Sequence, residues 1–432
     1  MADAPPLAAK PSSGFRSLAH NRDFTLLWVG QTISELGARA STFVFPILAF
    51  ALTDSTVAAA AVEMLFLFGL ATTMLPAGVL ADRLDRRMLM RASAALGAIL
   101  YASLAAAGAL GALTIEHLLI VAPLTGLTTG LFAPAETSAI RTVVSPEEMP
   151  AALSQQQARQ HVASLLGAPL GGALYSLARW APFVLNTLSY AVAWVLLGRI
   201  RTDLSPATTD EPRSHPAREL TEGLRFTVGV PFLRVMLLWS PLANLTANAL
   251  FFLAILRLVR EGTPAGAIAL AEVAAGVAGI LGAAIAPWLI ARIPTGWIII
   301  GAGWSMVPLA VPIALWPTVP VVAGALALIM VLNPAGNAGV GAYRIALTPP
   351  ALTGRVQSAM MFTAMTTMPL APVLAGGLLG LLGGRDGGLA IAVLLALAVL
   401  VPTCSRVVRQ VPRPELWSAH QGGTNVTSWP PH

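Results

Sequence analysis

Gly78-Val79-Leu80-Ala81-Asp82-Arg83-Leu84-Asp85-Arg86-Arg87 is a short charged stretch: an apolar run stops at two acids and three arginines, and a second apolar run begins at Met88. The run before it reaches back to about residue 56 and the run after it extends to about 110. At 1.5 Å per helical residue, each is long enough to cross ~30 Å of hydrocarbon. The ten residues therefore read as a polar turn between two membrane spans. Further out, the same pattern recurs. Apolar windows fall at 24–52, 56–81, 88–110, 117–139, 153–178 and 182–200. A second series falls at 232–257, 264–290, 296–316, 318–341, 356–382 and 387–405. The expected fold is all-α and polytopic, with twelve transmembrane helices in two bundles of six.

Composition agrees with that reading. The chain of 432 residues is 56% hydrophobic and 11% charged, against roughly a quarter charged in soluble proteins, and its mean hydropathy is +0.73. The expected organisation is a cytoplasmic tail over 1–23, a bundle over 24–200, a linker over 201–231, a second bundle over 232–405 and a tail over 406–432. Residues 1–23 lack the apolar core of a cleavable signal, so the N-terminus is expected to be kept. With that end inside, nearly all the basic residues fall in inner segments, and only Arg179, Arg257, Arg260 and Arg385 fall in outer ones. That asymmetry predicts cytoplasmic termini in the plasma membrane. Trp28, Trp180, Trp288, Trp297 and Trp316 fall near span ends, where interfacial aromatics belong.

The halves also align on each other. One constant offset places Glu63 on Glu272, Leu80 on Leu289 and Arg83 on Arg292; a slightly shorter one places Arg141 on Arg344. Parallel repeats of six spans produce such matches at corresponding loops.

The stretch from Gly78 to Arg87 resembles the cytoplasmic signature of the major facilitator superfamily, G-x-L-A-D-R-x-G-R-R, with Asp85 where the pattern has glycine. The opening Asn21-Arg22-Asp23-Phe24 and Leu352-Thr353-Gly354-Arg355-Val356 are similar to the macrolide-efflux and enterobactin-exporter branch. The resemblance implies a secondary transporter in which Asp82 meets the start of the eleventh helix and latches the inner side closed. Arg83, Arg86 and Arg87 would then pair with carboxylates such as Glu136. The alternative is that these arginines only anchor the loop to anionic lipid. Gly167-Ala168-Pro169-Leu170-Gly171-Gly172 resembles the antiporter signature G-P-x-x-G-G with the proline one position late, and it reads equally as a packing surface.

Polar groups inside the spans are the candidate site. Gln31, Glu35 and Arg39 are spaced four apart and share one helix face. Glu35 and Arg39 either form a structural ion pair or serve transport. Glu63 and Glu272 occupy repeat-related depths and are candidate proton carriers. Arg159 and His161 either balance these carboxylates, contact a substrate or lie at the cytoplasmic mouth. Asn244 with Asn248, and Asn333 with Asn337, read as interhelical hydrogen-bonding pairs or substrate contacts. Met361, Met365 and Met368 read as gap-filling packing or as a soft apolar wall.

Other function classes lack their residues. Lys10 is the sole lysine and is followed by proline, so no phosphate-binding G-x-x-x-x-G-K-[ST] loop exists. No G-x-S-x-G and no His/Asp cluster marks a hydrolase. One cysteine and scattered histidines give no metal set, and no basic stripe suits nucleic acid. No cofactor is expected. The expected partners are the lipid bilayer, a small-molecule substrate and protons as coupling ion, acting on a monomer. The expected activity is proton-coupled export of a small amphipathic or hydrophobic compound: a drug, a macrolide-like metabolite or a siderophore. An importer or facilitator on the same fold, or a receptor that moves nothing, is the alternative.

Overall fold

The computed structural model describes residue 18 and residues 20–145, 148–205, 216–349 and 352–417; the side chains of 74, 75, 78, 79, 81, 82, 150 and 216–220 are outside that description. Every long element is a helix. The first half holds α1 (Arg22–Thr53), α2 (Thr56–Arg83), α3 (Arg86–Ala109), α4 (Ile115–Val143), α5 (Met149–Leu177) and α6 (Ala181–Gly198). After α7 (Pro216–Gly229) come α8 (Pro231–Arg260), α9 (Ala265–Arg292), α10 (Thr295–Leu315), α11 (Val319–Leu347), α12 (Thr353–Thr367), α13 (Leu370–Cys404) and the short α14 (Arg406–Arg409).

Among the described residues, 10 segments are long and apolar enough to cross a membrane. The tenth, Thr353–Cys404, has 52 residues, far more than one crossing needs. It reverses at Gly383, whose φ of 81° is open to glycine and costly for other residues, so it supplies two crossings. Met149–Leu177 is an unbroken helix of 29 residues whose polar run from Ser154 to His161 lowers its hydropathy. It makes the twelfth. The expected span 356–382 is interrupted between α12 and α13, because Pro369 has no N–H to continue the helical ladder.

Local chemistry sets the helix ends. Asn21 caps α1, its Oδ1 accepting from the Phe24 N–H at 3.1 Å, while its Nδ2 donates to the Val143 carbonyl at 2.9 Å at the end of α4. The Asp23 carboxylate accepts from the backbone N–H groups of Arg201 and Thr202 and from the Thr202 hydroxyl. The Asn-Arg-Asp run thus staples three helix ends together. Asp85 caps α3 by accepting from the Arg87 N–H at 2.7 Å, which gives the residue in the signature's glycine position a local role.

In the first half, α2 packs on α4, α1 on α5 and α6, and α3 on α4 and α6. The second half repeats the scheme with α9 on α11, α8 on α13, and α10 on α11 and α13. Between halves, α5 meets α9 and α2 meets α13. One buried apolar cluster joins both halves at the end away from the termini, running through Phe45, Val62, Leu253, Ile268 and Leu379. At the terminus end the core splits. Leu27, Met90 and Ile140 belong to one cluster and Leu233, Tyr343 and Val356 to another. The halves are therefore fused at the far end and separate at the terminus end.

The linker's second part is not a loose spacer. Helix α7 packs on α12 and α8, with Phe226 and Thr227 buried and Glu222 paired to Arg355 at 2.7 Å. Beyond α14, Trp417 packs against Tyr343 with the rings tilted and their centroids 5.2 Å apart.

The far-end seam depends on backbone proximity. A Cβ on Gly376 would stand 2.4 Å from Ala60 Cβ and 2.7 Å from the Thr56 carbonyl. Overpacking of this kind costs about 1–3 kcal/mol. Gly376→Val should therefore lower the melting temperature in detergent micelles. Gly377→Val, where nothing lies within 4 Å, should leave it unchanged. Equal melting of the two variants would contradict the seam.

Candidate functional site

Among the described residues, each half lines a cavity of its own. The first, of about 430 Å³, is lined by Gln31, Glu35, Arg39, Glu63, Glu136 and Arg159, with Met368 reaching in from the other half. The four-residue spacing on α1 does place Gln31, Glu35 and Arg39 on one cavity-facing stripe. Gly167 lets α5 approach closely, since a Cβ there would lie 2.4 Å from Arg39 Cβ. That approach carries Arg159, about two turns earlier on α5, against the stripe.

Arg159 is the hub. Its Nε donates to Glu35 Oε2 at 3.1 Å and its Nη1 pairs with Glu136 Oε1 at 2.7 Å. The guanidinium is 3% exposed, so one planar cation ties two carboxylates from different helices. Arg39 stands 3.9 Å from Glu35 and is 52% exposed, which makes it the weaker partner. Two expectations change here. Glu136 does not pair with the boundary arginines; it lies more than a turn inside Arg141, where Arg159 holds it. Glu35 pairs first with Arg159 and only loosely with its neighbour Arg39. His161 is exposed and lines neither cavity.

Glu63 lines the same cavity toward the far end. Glu272, on α9, lies within electrostatic reach of Glu63 and of Arg39. The repeat-related pair thus lies within electrostatic reach across the two halves. Among the described residues neither glutamate has an ion-pair partner within 4 Å. Sequence reasoning missed Ser93, Tyr101, Thr128 and Tyr190 in this lining. With only 4 tyrosines in the chain, those inside apolar spans, Tyr101 and Tyr190 among them, were the available signal. The buried Gln31 Nε2 and Ser93 Oγ have no hydrogen-bond partner, so the chamber offers unspent polar groups to a guest or to water.

The second cavity, of about 490 Å³, gathers Asn244, Asn248, Asn333, Asn337 and Arg344 with Met361. The amides do not bridge helices. Asn244 Nδ2 donates to the Ser240 carbonyl and Asn248 Nδ2 to the Asn244 carbonyl, both on α8; Asn337 Nδ2 donates to Asn333 Oδ1 on α11. Met365 lines neither cavity.

At the boundary turn, the side chains of Gly78, Val79, Ala81 and Asp82 lie outside the described residues. Arg83 is exposed, Arg86 donates to Thr142 Oγ1 at 3.0 Å, and Arg87 donates to the Thr202 carbonyl. These contacts bind the turn to its own half. In the antiporter-like segment, a Cβ on Gly171 would meet the Ala40 carbonyl at 2.3 Å, and one on Gly172 would meet the Ala265 carbonyl at 2.8 Å across the halves. Pro169 lies within α5, between the close approaches at Gly167 and Gly171. No group of three or more metal-ligating side chains converges among the described residues.

Removing the hub leaves two carboxylates facing each other in a buried place, a change worth about 3–5 kcal/mol. Arg159→Met should lower the melting temperature strongly, and Arg159→Met with Glu136→Gln should recover part of the loss. An unchanged melting temperature in Arg159→Met would show that the triad holds nothing.

No curated protein sequence matches the chain. Solved structures do match in fold. A bacterial homologue of the iron transporter ferroportin in an inward-facing state superposes with a TM-score of 0.67 at 18% identity, covering 94% of this chain and 100% of that one. A bacterial homologue of the human lysosomal transporter Spinster, inward-facing and unoccupied, gives 0.65 at 15% identity over 98% and 100%. The nucleoside transporter NupG gives 0.67 at 13% identity over 90% and 99%. A family profile described as Major Facilitator Superfamily matches residues 27–331, well over half of the chain. With twelve crossings and two pseudo-repeated bundles already traced, the chain belongs to the major facilitator superfamily, as a membrane transporter and not an enzyme.

Proposed function

We propose that this transporter is a proton-coupled exporter of a small amphipathic or hydrophobic compound, of the drug, macrolide-like metabolite or siderophore type. It works by alternating access in the plasma membrane as a monomer with both termini cytoplasmic. Residues 24–200 and 232–405 are the two moving bundles. In that orientation the split core corresponds to a cavity open to the cytoplasm. Asp82 is the inner latch, formed with the start of α12 only when this split closes, while Glu222 holds Arg355 in the open form.

The observation that carries coupling is that Glu63 lines the charged cavity with Glu272 of the other half in electrostatic reach, and that among the described residues neither has an ion-pair partner. Ionisable groups at such depth are functional by default. These two sit against the fused end, so opening that end changes the side from which water and protons reach them. Export is supported by the α5 glycine seam, which resembles the antiporter signature and seals α1 and α9 at the far end. The displaced Pro169 favours the second reading, an importer or facilitator on the same fold.

The test is uptake into proteoliposomes with an imposed pH gradient, using labelled chloramphenicol, uridine and ethidium as probes. The parent should accumulate at least one probe on the acidic side. Glu63→Gln with Glu272→Gln should cut that accumulation at least tenfold while downhill exchange continues. Full uphill transport in the double variant, and in the triple variant with Glu35→Gln, would sink carboxylate coupling.

A further inference from the structure

The two cavities differ in chemistry. The first-half chamber carries Glu35, Glu63 and Glu136 against Arg39 and Arg159. Among the described residues, the second-half chamber has no carboxylate in its lining, and the charged side chain there is Arg344, toward the terminus end of α11. Its neutral polarity comes mainly from four asparagines on α8 and α11, with Ser240, Thr246 and Gln357 beside them.

Those amides are not spent on holding helices together. Each amide offers two donor hydrogens and a carbonyl acceptor, and the bonds on Asn244, Asn248 and Asn337 all run along their own helix. Every amide in the set keeps donor or acceptor capacity toward the space between α8 and α11. Trp239 adds an indole Nε1 that is buried and has no hydrogen-bond partner. Phe251, Met306 and Met330 supply apolar wall. Thioethers and an aromatic ring adapt to varied apolar shapes. Polar groups left unpaired in an apolar bundle are costly unless water or a guest satisfies them.

We infer that the second-half chamber is the substrate-binding site and that it selects neutral compounds carrying hydroxyl and carbonyl groups on an apolar frame. The inference rests on the transport reading and narrows its substrate class. Paired donors and acceptors on α8 and α11 recognise hydroxyl and carbonyl groups. The absence of a carboxylate in the lining, with Arg344 near its terminus-side end, disfavours cations. Charge handling and substrate recognition are thereby divided between the halves.

Equilibrium binding to the purified full-length chain in lipid nanodiscs tests this. The probes are chloramphenicol and uridine as neutral ligands, ethidium and tetraphenylphosphonium as cations, and salicylate as an anion. At least one neutral probe should bind and neither cation should compete with it. Asn244→Leu with Asn248→Leu, and Asn333→Leu with Asn337→Leu, should each weaken that binding about tenfold or more, as expected for lost hydrogen bonds. Trp288→Phe, on the exposed outer face, should not. Melting temperature and monodispersity confirm folding; where a double variant fails, Asn337→Ala and Asn248→Ser are read instead. Binding of charged probes alone, binding of no neutral probe, or neutral binding that survives every asparagine change would each overturn the inference. The readout needs no proton gradient, so failure of coupling in proteoliposomes and failure of this site are separate results.

Discussion

Arg159 reaches Glu35 at 3.1 Å and Glu136 at 2.7 Å from a side chain that is 3% exposed, and the first half is arranged around that contact. A buried charge is tolerated only when paired and well bonded. Meeting that condition requires α1, α4 and α5 to converge, which requires close backbone approach. Gly167 and Gly171 provide it where α5 crosses α1. The same glycine run continues to Gly172 against α9, so the segment that positions the hub also forms part of the seam between halves. A change in the charge of the triad can therefore be felt at the seam.

In this form the seam holds the two halves together at the far end and leaves them apart at the terminus end. One apolar cluster spans both halves at the far end, whereas separate clusters serve each half where the termini lie. Separate cores can move as rigid bodies, since each keeps its own packing. Helix α7 rides with the second body through Phe226 and Glu222. The Asn21 and Asp23 contacts keep the ends of α1, α4 and α6 with the first. Glu63 and Glu272 lie where the bodies meet, and the asparagine chamber lies within one of them.

Much of this was legible in the sequence because hydrocarbon enforces it. Apolar length fixed the spans, and arginine asymmetry predicted which loops share an end. The four-residue stripe from Gln31 to Arg39 needed only helix geometry, and the repeat paired Glu63 with Glu272 before any contact was known. Partners on different helices were not legible. Nothing in spacing tells that Glu136 on α4 rotates toward Arg159 on α5, so the assignment went to Arg83, Arg86 and Arg87 of the signature loop. The asparagine pairs have the right spacing for interhelical bonds, but rotamers direct their N–H groups along their own helices. Pro369 was visible as a residue, yet the apolar run around it was continuous enough to hide the break. Asp85 looked like a departure from a motif and serves as a helix cap.

The central claim is that two rigid halves exchange which end is closed. Spin-label distances in reconstituted membranes address it directly, in a Cys404→Ser background because Cys404 is the chain's single cysteine. One pair joins positions 142 and 349 at the split end; the other joins 54 and 381 at the fused end. Across a range of pH, and with a bound probe, the account predicts reciprocal populations. Every shift toward shorter distances at 142–349 is matched by longer distances at 54–381. Distances that stay single-valued under all conditions, or that lengthen together, would contradict it.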